Sequence, residues 1–170
     1  MTLLKPLEYS GWKGGPSKAV LCLDMGRFTG VAAMFHDGTI GHDLLQFPKE
    51  KHPGESYNKF RLTLARLNRN AEGFDHIVYE EKTFAATSVQ NSRVAFSFEG
   101  NLLSWAALNK IPVQGVHNGT LKKFITGKGK ATKEEMVFFI EQMGFAPKDH
   151  NVADALALLT YYLETTHGQG

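Results

Sequence analysis

Three carboxylates lie where an acid is costly unless it has a task. Asp24 ends the apolar run Ala19-Val20-Leu21-Cys22-Leu23, Glu80 ends Ile77-Val78-Tyr79, and Asp154 lies among Val152, Ala153, Ala155 and Leu156. The first two runs have the length and composition of buried strands. The third continues through Ala157-Leu158-Leu159 and reads as a helix packed inside the domain. A charge beside such a stripe costs free energy unless it is paired or binds metal. Three carboxylates converging from different elements suit hard divalent cations, which prefer oxygen ligands. Two such ions could activate a water and stabilise the leaving oxygen in an in-line attack on a phosphodiester. Glu81 competes with Glu80, but neighbours along a strand point to opposite faces. Only one of them can join Asp24, and Glu80 is the one expected.

Each acid also has a plainer role open to it. Asp24 precedes Gly26 and could cap a turn. Glu80 could be a solvated residue at the edge of a loop, and Asp154 could serve the helix dipole. The convergence of all three favours the metal reading.

A second constellation is basic. Leu121 to Lys133 contains Lys122, Lys123, Lys128, Lys130 and Lys133 and no acid. Its glycines, Gly127 and Gly129, leave the backbone free to approach a phosphate chain. Neutralising phosphates with lysine is the sequence-independent part of nucleic-acid affinity. Lys122, Lys123, Lys128 and Lys130 lie on or before this flexible glycine loop and are therefore expected to track a backbone. Lys133 lies within Thr132-Lys133-Glu134-Glu135, a capping box that opens a helix. That anchorage would hold it at one phosphate, where it could stabilise the charge of the transition state. The plainer alternative is a solvated charge run. The segment is not a Walker A loop, because the Gly-Lys-Ser/Thr ending is missing. Acids for metal beside lysines for phosphate is the pairing that a metal-dependent nuclease needs.

These groups require a frame. The order reads strand (to Asp24), glycine turn, strand (Val31 to Phe35), an Asp37-Gly38 hairpin signal, and a third strand from Thr39 to Phe47. A helix follows over Glu55 to Ala71, with Phe60, Leu64 and Leu67 on one face, then the Glu80 strand. A loop from Glu81 to about Gln90 precedes a second helix, roughly Asn91 to Asn109. Ala95, Phe98, Leu102 and Trp105 lie on one side of it, and Phe96, Leu103 and Ala107 on another. One face can pack on the sheet. The other can meet a second subunit or lie under the C-terminal helices. A short strand over Ile111 to Val116 precedes the lysines, and Met136, Phe139, Ile140 and Met143 then recur at helical spacing. The expected fold is α/β, a mixed five-stranded sheet with helices on both faces.

The whole chain bounds the rest. At 170 residues, one domain is the default. Residues 19–164 are expected to form it, between a flexible arm at 1–18 and a flexible tail at 165–170. Net charge is only +2, so any nucleic-acid surface must be local. Cys22 is the single cysteine, which excludes an intrachain disulfide and a multi-cysteine metal site. No signal peptide and no apolar run of about 20 residues is visible. The expected setting is cytoplasmic, in a bacterial or phage-infected cell.

Taken together, the motifs resemble the RuvC-type Holliday junction resolvases of the ribonuclease H-like superfamily, especially their phage and prophage members. Leu23-Asp24-Met25-Gly26 with Thr29-Gly30 is similar to the first-strand motif. Val78-Tyr79-Glu80 resembles the end of the fourth strand. Leu121-Lys122-Lys123 with Gly127-Lys128-Gly129, Ala131 and Lys133 resembles the lysine and glycine segment. Asn151 with Ala153-Asp154-Ala155-Leu156-Ala157 resembles the final helix. The likeness runs from about Ala19 to Leu163. It implies a homodimeric endonuclease that cuts four-way DNA junctions with Mg2+, two ions per site, and with Mn2+ as a substitute. Asp24, Glu80 and Asp154 match the family's metal-binding acids, and Lys122 and Lys133 its two lysines near the scissile phosphate. The family's fourth ligand, usually acidic, falls at Asn151, which could instead be an N-cap, leaving Asp149 or His150 as substitutes. Phe84 lies four residues after Glu80, where the resemblance puts a wedging aromatic at three.

Other classes compete. A nuclease of the same fold could act on forks, flaps or duplex, since junction choice depends on dimer geometry. An actin-like ATPase or sugar kinase shares the first-strand aspartate and glycine-threonine turn, but needs two such domains, for which the chain is too short. A catalytically dead DNA-binding subunit is disfavoured by the intact acids.

Overall fold

The computed structural model describes residues 2–3, 18–83 and 88–167. The elements run β1 (Thr2–Leu3), β2 (Val20–Asp24), β3 (Phe28–Met34), β4 (Ile40–Gln46), α1 (Glu55–Asn70), β5 (His76–Glu81), α2 (Val89–Leu108), β6 (Val113–His117), α3 (Asn118–Thr126), α4 (Lys133–Gln142) and α5 (His150–His167). Residues 4–17 of the expected arm, 168–170 of the expected tail, and Phe84 lie outside the described residues.

Every residue of β2 is buried, as expected for a strand covered on both faces. Its alternation divides the core. Val20 and Cys22 face α5 with Ala32, Val78 and Val116. Leu21 and Leu23 face the other way, with Val31, Ile77, Phe60, Phe98 and Leu102 from the strands, α1 and α2. The sheet order is β1-β4-β3-β2-β5-β6. β3 pairs antiparallel with both β2 and β4, whereas β5 pairs parallel with β2 and β6. The five expected strands thus form one mixed sheet, and the two residues Thr2–Leu3 add a short sixth strand at the β4 edge.

This topology gathers the functional ends. The carboxyl ends of β2, β4, β5 and β6 and the start of β3 lie at one end of the sheet. The β2–β3 turn there is closed by Thr29, whose hydroxyl donates to the Gly26 carbonyl at 2.7 Å and accepts from the Gly26 N–H at 3.3 Å. Asp24 is thereby left free of the turn-capping role.

The helices change several of the expectations. The lysine segment begins as a helix and not a loop. Leu121 and Ile125 recur at helical spacing and are buried, the His117 side chain accepts from the Gly119 N–H, and Gly127 in the left-handed region (φ 77°) ends α3. Lys122 and Lys123 therefore sit on α3, and only Lys128 and Lys130 occupy the loop. On α4 the capping box between Thr132 and Glu135 is present. Phe139, however, is 36% exposed and lies edge-to-face with Phe138, because the buried stripe runs through Met136 and Ile140. α2 packs on α1 across the sheet from α5, so burial beneath the C-terminal helices is excluded.

Candidate metal centre

Register puts the first two acids side by side. Leu23 pairs with Tyr79 across parallel strands, so Asp24 and Glu80 follow as neighbours on one face. Glu81 points to the opposite face, over Gly115, where a Cβ would stand 2.5 Å from its carboxylate oxygen. The third acid arrives on α5, and Gly30 makes its arrival possible. Gly30 is the cross-strand partner of Asp24. A Cβ there would lie 1.9 Å from the Asn151 carbonyl oxygen and 2.7 Å from the Val152 nitrogen. Only glycine lets the first turn of α5 rest directly on β3. The turn is held by Asp149, whose carboxylate accepts from the Val152 N–H at 3.0 Å and from Asn151 Nδ2 at 2.8 Å. The helix cap is therefore Asp149, and Asn151 stands inside the first turn.

One carboxylate oxygen from each of Asp24, Glu80 and Asp154 lies within 4.8 Å of the others. Asp24 and Glu80 are buried and Asp154 half-buried. Two further residues, absent from the sequence expectations, complete the arrangement. Lys82 Nζ donates to Asp24 Oδ1 at 2.5 Å, and Asn118 Nδ2 donates to Glu80 Oε1 at 2.8 Å. Strand alternation carries a signal for Lys82: two residues beyond Glu80, it falls on the same face. Asn118 has no such signal, since it reaches Glu80 only through the pairing of β5 with β6.

The electrostatics follow from this crowding. Burial, then the charge of Asp24, pushes the Glu80 carboxyl above its ordinary range, against Lys82, Asn118 and Lys122. Burial, then Asp24 and Glu80, pushes Asp154 up to about 8. For Lys82, burial alone would lower the pKa, but the carboxylates of Asp24, Glu80 and Asp154 outweigh it and raise it. Three carboxylates against one ammonium leave the centre two positive charges short when all are ionised. An all-oxygen donor set with that deficit fits a hard divalent cation.

Asp154 gives the metal-free protein a definite pH dependence. Its folded pKa, about 8, lies above the ordinary value of 3.8. Its contribution to stability is therefore fully present below that ordinary value and is lost as the pH rises toward about 8. The urea midpoint of chelator-treated protein should fall between pH 5 and pH 8, less steeply for Asp154→Asn, and Mg2+ should restore it. An unchanged slope in Asp154→Asn would remove Asp154 as its source.

The lysines divide in space. Lys122 is half-buried, and its charge reaches both Glu80 and Asp154. Lys133 is exposed, with Nζ 3.1 Å from His150 Nε2 at the start of α5. Lys123, Lys128 and Lys130 are exposed, and Lys128 pairs with Glu135 at 3.1 Å.

No protein-family model matches the chain. In sequence it is 31% identical over 81 residues to the crossover junction endodeoxyribonuclease RuvC of Chlorobium chlorochromatii (strain CaD3), a match covering 46% of this chain and 42% of that protein. In fold it is similar to RuvC of T. thermophilus solved with a Holliday junction substrate, at TM-score 0.75 and 19% identity, over 89% of this chain and 97% of that one. The yeast mitochondrial Holliday junction resolvase Ydc2 follows at TM-score 0.61 and 13% identity, over 87% and 78%. The fowlpox virus resolvase in complex with junction DNA stands at 0.55 and 16%, over 87% and 98%. The fold is thus the α/β architecture of these solved resolvases, the one that the motifs suggested. Among the described residues, no helix is long and apolar enough to cross a membrane.

Proposed function

We propose that the protein is a metal-dependent endonuclease that resolves four-way DNA junctions by hydrolysing phosphodiester bonds. The observation that carries this reading is the meeting of Asp24, Glu80 and Asp154, from three elements, on a sheet of this topology. Those three residues would hold Mg2+, with Mn2+ as a substitute and the Asn151 side-chain oxygen as a weaker fourth donor. Bound there, the metal would supply a nucleophile at neutral pH and positive charge at the reacting phosphate.

The chain's own groups do the rest. Asn118 orients Glu80, and Lys82 donates to Asp24 and offsets part of the negative charge of the cluster. Lys122 directs a positive charge toward Glu80 and Asp154, where a phosphate reaching the site would meet it. Lys133, seated at the cap of α4 beside His150, is held close to the start of α5 and is assigned to the reacting phosphate. Lys123, Lys128 and Lys130 supply affinity for the backbone as it leaves the site. Paired incision of a two-fold junction calls for two sites related by a two-fold axis. A homodimer through the outer face of α2, where Leu108 is 72% exposed, would provide them.

Cleavage of junction, fork, flap and duplex DNA in Mg2+ tests the proposal. Symmetric nicks in the junction, abolished by chelator, are expected. Equal cutting of plain duplex would refute junction resolution, and preferential cutting of forks or flaps would move the substrate to other branched DNA.

A further inference from the structure

A second basic surface lies on the other side of the sheet. The segment after β4 and the first turns of α2 enclose an open groove of about 380 Å3. Its lining includes Arg27, Lys49, Lys51 and Arg93, with Glu50 as the single acid, and the Glu50 carboxylate is taken by Lys59. Arg27 is fixed in the wall: Nη1 donates to the Phe47 carbonyl at 3.1 Å and to Ser56 Oγ at 3.2 Å. Lys49, Lys51 and Arg93 are exposed, and among the described residues none of them has an ion-pair partner. Lys59, Lys128 and Lys148, by contrast, each have a carboxylate. Unpaired cations converging on a concave surface repel one another, an arrangement suited to a polyanion.

Position specifies the polyanion. Arg27 lies in the turn that follows Asp24, and the groove opens at the sheet end that carries the three acids. The α3 and α4 lysines approach that end from the α5 face, and the groove approaches it from the α1 and α2 face. We propose that the groove is a second phosphate track, which takes the sugar-phosphate backbone beyond the metal centre on the face opposite the α3 lysines. The proposal rests on the nuclease reading above and adds to it the course of the strand over the sheet end. It engages phosphate, so it confers affinity and register and no base preference.

The test compares wild type with Lys49→Gln/Lys51→Gln/Arg93→Gln, which replaces each cation by an unbranched neutral polar side chain and leaves Arg27 in place. Equilibrium binding of a four-way junction and of a plain duplex is measured in Ca2+ across a salt series, with thermal unfolding as a check on the fold. Removing one phosphate-binding cation lowers the salt slope by about 1, so the triple variant should lose about 3, with affinity at least roughly tenfold weaker. A slope and affinity equal to wild type, in a variant that melts normally, would overturn the groove and leave the nuclease reading standing. If wild type binds neither DNA, both readings fall. If only single replacements retain the fold, the same slope change of about 1 for each is required, and its absence refutes the track.

Discussion

Asp24→Asn should abolish cleavage while leaving the fold and junction binding in place. The replacement preserves shape but removes the charge that crowds two other carboxylates and answers Lys82. Taking one carboxylate from an all-oxygen centre weakens both the hold on the cation and the charge offered to the phosphate, terms worth several kcal/mol in such sites. A penalty of about 4 kcal/mol corresponds to roughly 10^3 in rate. Single-turnover cleavage at saturating protein reads the rate, and binding in Ca2+ reads affinity. Cutting within a few-fold of wild type would sink the metal-centre assignment. The same variant relieves repulsion on Glu80 and Asp154, so its metal-free form should resist urea at least as well as wild type at pH 8.

Gly30→Ala should be strongly destabilising. The added carbon meets the Asn151 carbonyl at 1.9 Å and 2.2 Å (oxygen and carbon), and these are backbone atoms that no rotamer change can clear. Either β3 bends or α5 lifts. Overpacking of this kind costs about 3 kcal/mol or more, which for a chain of this size lowers the melting temperature by roughly 6 to 12 °C. Cleavage should fall further than the folded fraction, because lifting α5 carries Asp154 away from Asp24. Gly100→Ala is the control. It lies within α2 with no atom near the new carbon, and alanine there should be neutral or stabilising by about 0.5–1 kcal/mol. Equal melting temperatures for the two variants would show that Gly30 and α5 are not tightly packed.

Much of this arrangement is legible in the chain itself, for identifiable reasons. Apolar runs of strand length and the Asp37-Gly38 hairpin mark the β2, β3 and β4 order, and a charge inside a helix as apolar as α5 marks Asp154. Choosing Glu80 over Glu81 needs only strand alternation. What escapes depends on pairing or on weak local signals. Helix α3 reads as a loop because the segment from Leu121 to Lys133 carries five lysines and two glycines, while its two core anchors, Leu121 and Ile125, are too few to set a period. Asn118 reaches Glu80 only because β5 and β6 align, a long-range fact. Lys82 follows the alternation rule, but a lysine two residues beyond an acid looks like ordinary surface until the acid proves buried. The capping role falls to Asp149 and not to Asn151 because this helix start offers several polar residues, and only the backbone decides which is outside the first turn.

Lys82 changes the order of events at the centre. Without it, three carboxylates crowded together would close under the strands and α5 only by holding protons or a cation. An ammonium already seated on Asp24 lets the domain assemble first and load later. Any cation the site takes then enters a finished cavity and displaces or loosens a resident charge instead of organising a disordered one. A cation bound by this centre would exchange with a resting occupant that is covalently part of the chain.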